Sequence, residues 1–199
     1  GQEIRAGDVG RAGETTVALE LNETAIPAGA AKYYDMGTLS QLGASFDGSA
    51  VVSAVASGTA TPANIVGTVL ELQTNNVGVR AFEGVPSTAA ANTVYMATAL
   101  CQVQGTTSAY AVQNTSSTDA AAVTVAYSNS STQTGNIPAG GKMSFSACNA
   151  AGVAAGFSGA ATITSTGGKS VVVGKVGGNN RFTAFLGETS GAAKLALPY

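Results

Sequence analysis

The apolar residues of this chain fall in short runs that either alternate with polar positions or are continuous and β-branched. Thr15 to Leu21, Ala50 to Val55, Ile65 to Leu72, Val123 to Tyr127, Ala160 to Thr164 and Ser170 to Val173 are of this kind. Each is bounded by Gly, Pro, Asn or Ser, so each reads as a strand between turns. The turns recur at roughly the 8–12-residue spacing of a sandwich or barrel. Asn149 to Gly156 is rich in alanine, but its glycines predict a loop with at most one helical turn.

The strand pattern occurs twice. Ile26-Pro27-Ala28-Gly29 overlays Ile137-Pro138-Ala139-Gly140, and without a gap Phe46-Asp47-Gly48 then falls on Phe157-Ser158-Gly159 and Ala50 to Ser53 on Ala161 to Thr164. Ala81-Phe82-Glu83-Gly84 falls on Ala184-Phe185-Leu186-Gly187 after a few extra residues, best placed around Gly58 to Asn64, and Thr16 to Leu19 falls on Thr124 to Tyr127. This ordered series of blocks marks a duplication. The Ile-Pro-Ala-Gly element predicts a tight hairpin turn with glycine at positive φ. The expected fold is all-β, two tandem Ig-like β-sandwich modules. The first spans 1–88, the second 89–188, and 189–199 remain as a C-terminal strand.

The two copies differ in where they begin. The second opens with Thr93 to Ala97, runs through Cys101 and reaches Ser108 to Gln113, whereas carrying the overlay upstream puts Gln2-Glu3-Ile4-Arg5 on Tyr110 to Gln113. The first module is therefore expected to lack its opening strand. Ala192 to Tyr199 overlays Ala90 to Ala97, which makes the C-terminus the opening strand of a further module. A sandwich short of one strand exposes a groove and an unpaired edge. A strand from another copy fills it by donor-strand complementation, and a heterologous contact of this kind propagates as an open filament. Lys194, Leu195, Ala196, Leu197, Pro198 and Tyr199 are the expected donor, and Gln2, Glu3, Ile4 and Arg5 the edge of the acceptor groove. Tyr95 and Leu197 fall on corresponding positions, so both are expected to be buried. The competing reading is a trimmed piece of a longer repeat protein.

Composition narrows the function. Only 10% of residues are charged, against about 25% in an ordinary globular domain. The formal charge of −2 gives no basic face for nucleic acid. No apolar run approaches the roughly 18–20 residues of a membrane helix. The chain starts at Gly1 without a signal-like segment, so a secreted protein would already have lost its leader. A surface of Thr, Ser, Asn and Gly suits packing against copies of itself or a coat of sugar. Sequons at Asn22, Asn114 and Asn129 offer sites for covalent glycans.

Chemistry-bearing residues are sparse. Without histidine or a Cys-x-x-Cys spacing, neither a zinc site nor a Cys/His nucleophile is supported. The carboxylates form no calcium loop, and neither a nucleophile elbow nor a phosphate-binding glycine loop occurs. No cofactor, metal or catalytic residue is expected, and an enzyme is not the reading. Lys32 and Lys142 are the candidates for an isopeptide staple, with no buried acid identified beside them. Cys101 and Cys148 read either as a disulfide, closing a loop worth about 4 kcal/mol in the chain-entropy model, or as two buried thiols. The disulfide implies an oxidising compartment.

The series Ala111 to Asn114, Val123 to Tyr127, Ile137 to Gly141, Gly156 to Ser165 and Ala184-Phe185-Leu186-Gly187 resembles repeated β-sandwich modules of bacterial surface proteins such as those of the Chloroflexi. The resemblance covers nearly all of the second copy and, more weakly, the first. It implies an extracellular or cell-surface location and a structural or adhesive role. The strand-donation scheme is similar to that of bacterial and archaeal pilins, without a pilin-specific motif. Two functions are carried forward: a pilus-like filament subunit, a homopolymer of identical chains, and a surface adhesin or carbohydrate-binding repeat.

Overall fold

The computed structural model describes residues 2–11, 17–43, 46–72 and 78–193. It is all-β, and all sheet pairings are antiparallel. The strands are β1 (Gln2–Arg11), β2 (Val17–Ile26), β3 (Gly48–Ala50), β4 (Ser53–Ala56), β5 (Thr68–Leu72), β6 (Val79–Glu83), β7 (Thr93–Cys101), β8 (Thr107–Asn114), β9 (Ala121–Tyr127), β10 (Thr132–Ile137), β11 (Lys142–Ser146), β12 (Phe157–Thr166), β13 (Ser170–Gly178) and β14 (Arg181–Leu186). The segment from Asn149 to Gly156 holds only the end of one 3₁₀ turn, Ala147–Asn149, and then loop, as its glycines dictate.

From β7 onward the chain forms a β-sandwich. One sheet has the order β10-β9-β12-β7 and the other β11-β8-β13-β14. Strict alternation builds its core: β8 and β9 bury every second residue, and Tyr110, Val112, Val123, Val125 and Ile163 meet between the sheets. Tyr110 is fully buried, and its hydroxyl donates to the Thr98 carbonyl at 2.8 Å, which joins the two sheets through a polar tip on an apolar ring. Asn114 plays the same part at the other end. Its Nδ2 donates to the carbonyls of Asp119, Ile137 and Pro138, and its Oδ1 accepts from Ser116 N.

The Ile-Pro-Ala-Gly turn closes identically in both halves. Ala30 N donates to Pro27 O and Gly141 N to Pro138 O, each at 3.0 Å, with Gly29 and Gly140 at φ 76° and 67°. Glycine takes the positive-φ position as expected. The turn is not a hairpin, however. In the second half it carries the chain from β10 in one sheet to β11 in the other, so it is a corner of the sandwich.

The first half is organised differently. β1 lies between β2 and the pair β3 and β4, while β5 and β6 form a separate two-stranded sheet. That hairpin rests on the second half. Glu71 is ion-paired with Lys175 and lies 3.7 Å from Arg80, which stacks over Phe182 at 5.1 Å; Lys175 also sits 5.6 Å from the Phe82 ring. At the other junction, Lys142 pairs with Asp47 and Ser49 Oγ donates to Gly140 O at 3.4 Å.

Candidate functional site

Pairing partners show which strand of one half stands for which of the other. Gln2 faces Ile26 as Ala121 faces Ile137, and Arg5 faces Ser53 as Thr124 faces Thr164. Ile26 and Ile137, and Ser53 and Thr164, are the repeat-equivalent residues. Thus β1 corresponds to β9, β2 to β10, and β3 with β4 to β12. Likewise Gly84 N donates to Gly67 O as Gly187 N donates to Val172 O, so β5 and β6 correspond to β13 and β14.

This corrects two sequence expectations. Gln2 to Arg5 correspond to the start of β9 rather than to β8, and the overlay of Thr16 to Leu19 on β9 gives way, because β2 stands where β10 does. Nor is Gln2 to Arg5 an open edge: it is paired on one side with β2 and on the other with β4. The error arose because alternating Ala, Val and Thr runs look alike and a turn of different length shifts the overlay.

Among the described residues, the first half therefore has no counterpart of β7, β8 or β11. The last follows from the second: β11 pairs only with β8, and without that partner the equivalent residues Ala31 to Asp35 run as irregular chain. What is missing is the consecutive pair β7 and β8, which in the second half adds one strand to each sheet.

Two openings result. No described strand is hydrogen-bonded to the outer side of β3 and Val51–Val52, where β12 has β7, although β11 comes near β3, nor to the outer side of β5, where β13 has β8. The outer side of β4 is taken: Ala56 N donates to Thr61 O at 2.8 Å and Ala63 N to Ala54 O at 2.9 Å. These come from the extra residues the first copy carries. The apolar surface follows the openings. Of the exposed large hydrophobic side chains among the described residues, all but Tyr95 and Leu186 precede residue 80. Ile163 is 1% exposed, whereas its counterpart Val52 is 55% exposed; Leu70 is 59% exposed on β5. A two-stranded hairpin with bare Val69, Leu70 and Leu72 is marginal alone and a template for further pairing.

Cys101, the last residue of β7, is bonded to Cys148 in the turn after β11, with a Cα–Cα distance of 4.9 Å. It ties the edge strand of one sheet to the connection leaving the edge strand of the other. The position of Cys148 is held by Gly37 in the first half, where β7 has no counterpart. The disulfide therefore belongs to the closed half.

The remaining sequence-derived sites separate. Tyr95 is 49% exposed, contrary to expectation: β7 buries Val94 and Met96, so its inward phase is one residue from the one assumed. The sequon at Asn114 is corrected as well, because that side chain is fully buried with its amide donating to three carbonyls. A glycan on that nitrogen is incompatible with the folded sandwich. Asn22 and Asn129 are exposed. Lys194 to Tyr199, the expected donor, lie outside the described residues. Among the described residues, no group of three or more His, Cys, Asp or Glu side chains is placed to hold a metal ion, and no helix is long and apolar enough to cross a membrane.

The opening beside β5 has no counterpart in the sequence reading, which took β5 only as a strand. The available signal was that Val69, Leu70 and Leu72 put apolar residues on both faces, where β13 has Gly174, Lys175 and Gly177. Comparison with family models, with curated proteins and with solved structures gives no match.

Proposed function

We propose that the chain is a structural subunit of an extracellular filament that polymerises head-to-tail by strand donation into its first half. The observation that carries this is the contrast between equivalent strands. β12 and β13 are covered on both edges, while β3 and β5 each leave one edge and a set of apolar side chains open. An open edge beside uncovered valine and leucine is the chemistry of β-augmentation: main-chain bonds supply affinity and alternate side chains fill the groove. The donor is the C-terminal strand Lys194 to Tyr199, whose sequence resembles the start of β7. The contact is heterologous and so continues without closing.

The supporting features are of one kind. A disulfide suits an oxidising, extracellular compartment. The low charge suits a surface engaged with copies of itself, and exposed Asn22 and Asn129 are where covalent glycans would sit. The resemblance to repeated sandwich modules of bacterial surface proteins points the same way.

Negative-stain microscopy and light scattering of the purified protein over a concentration series test the proposal. Filaments that resist hot SDS are expected, because release requires a whole ladder to break at once. A monodisperse monomer at every concentration would overturn it.

A further inference from the structure

The filament reading leaves open which edge accepts the strand and in what register, and here the closed half serves as a template. We infer that the acceptor is the outer side of Gly48 to Val52, and that the donated strand enters with Leu195 and Leu197 in the places of Val94 and Met96. This rests on the filament reading and specifies its contact.

The edge is assigned by equivalence. In the second half, β7 pairs with β12 through Ala161 opposite Met96, Thr162 opposite Tyr95 and Ile163 opposite Val94. The counterparts of Ala161, Thr162 and Ile163 are Ala50, Val51 and Val52, all exposed. Covering by Thr61 and Ala63 stops the open stretch at β4.

Two independent features set the register one residue away from the simplest overlay of the sequences. The first is the inward phase. Val94 is 2% and Met96 1% exposed, with Tyr95 between them pointing outward. Direct overlay of Ala192-Ala193 on Ala90-Ala91 puts Ala196 and Pro198 in those buried places and both leucines outside. Moving the strand by one residue reverses its faces, so Leu195 and Leu197 enter the core and Ala196 takes the outward place of Tyr95. The second is proline. β7 pairs Met96 with Ala161 and Ala99 with Gly159, so Ala97 and Thr98 together face the single residue Ala160 in a bulge. The shifted register drops Pro198 onto Ala97, within that bulge, where a residue without an N–H is tolerated. The unshifted register sets Pro198 in the ladder opposite Ala50.

Direction follows from the linkers. Gly84 to Asn92 carry the chain from β6 to the start of β7, where Tyr95 and Glu188 exchange backbone bonds at 2.7 and 3.0 Å. The chain leaves β14 through the same Gly N–H bond by which it leaves β6. Repeating that step leads to a unit beyond the second half, which the filament reading supplies as the open half of another copy, where Val85 would meet Ala196 as Glu188 meets Tyr95.

The test pairs cysteines in the otherwise intact chain. Val52→Cys with Leu195→Cys sets two inward-facing, directly opposed positions; Val52→Cys with Ala196→Cys sets positions on opposite faces. Assembled protein is oxidised, dissolved in guanidinium chloride and run with and without reductant. A reductant-sensitive ladder from the first pair and monomer from the second is expected. A ladder from the Ala196 pair alone overturns the register, and filaments with a ladder from neither overturn the edge. A cross-linked monomer shows closure within one chain and overturns the exchange. Absence of filaments from the unmodified protein removes the filament reading itself. Should a cysteine pair impede folding, single charges decide: Leu195→Asp or Leu197→Asp abolishes filaments while Ala196→Asp keeps them, and the reverse pattern overturns the register.

Discussion

The two halves share the Ile-Pro-Ala-Gly turn and several strand pairings, yet among the described residues only the second builds a continuous core between two sheets. In the second half β7 and β8 add one strand to each sheet, and the buried side chains from Val94 to Val172 form one continuous cluster. In the first half, strands equivalent to β9, β10, β12, β13 and β14 are all present. Ile26, Leu42 and Ala54 are buried there, but Val52, the counterpart of Ile163, stays in solvent. Burial is therefore not a property of a residue type or of a strand. It depends on whether the strands that close both sheets are there.

The sharpest way to break this comparison is to remove the strand proposed to close the open half. Deleting Lys194 to Tyr199 is expected to abolish filaments by microscopy and scattering while leaving the melting temperature of the second half unchanged. Unaltered fibres would show that closure comes from elsewhere. Next in size is the disulfide, found only in the closed half. Replacing Cys101 and Cys148 by alanine should lower the stability of the second half by about 4 kcal/mol, the chain-entropy value for a loop of this length. Calorimetry should show that transition alone moving. The core gives a paired test of similar scale. Ile163→Ala removes a buried side chain and is expected to cost about 2–5 kcal/mol. Val52→Ala at the equivalent position should stay within about 0.5 kcal/mol in the unassembled chain, as for an exposed site. The same substitution should weaken the assembled filament. Equal effects at the two positions in the monomer would mean that the first half is closed after all.

Much of this was legible in the sequence, and the failures share one cause. The period-two runs, the Ile-Pro-Ala-Gly turn and the extra residues before Asn64 are local signals, and each marks a real feature of the chain. The all-β class follows from them. What could not be read was the partner of each strand. An alternating run such as Val17 to Leu21 fits β9 or β10 equally well by composition, and pairing alone distinguishes them. Tyr95 shows the same limit at one residue: an aromatic in a strand is usually a core residue, but the phase of β7 is set by Val94 and Met96 opposite β12. Asn114 was seen as a sequon because its three carbonyl partners come from Asp119, Ile137 and Pro138, which only the fold brings together.

The smallest expected effect concerns alkali and the closed core of the second half. Burial pushes the Tyr127 hydroxyl up to about 12, and burial, with Tyr127 beside it, raises Tyr110 further. In the unfolded chain both ionise near 10. Between those values the unfolded state loses protons that the folded state keeps, so the stability these groups contribute is complete below pH 10 and falls as pH rises toward 12. Tyr127→Phe removes the ionising group and only a long 3.4 Å hydrogen bond to Gln133. Unfolding of the second half, followed by tyrosinate absorbance and circular dichroism, should therefore begin at higher pH in the variant. Tyr33, 74% exposed in the first half, supplies the contrast: Tyr33→Phe should leave that onset where it was, and an equal shift from both variants would mean that the effect does not arise from the closed core.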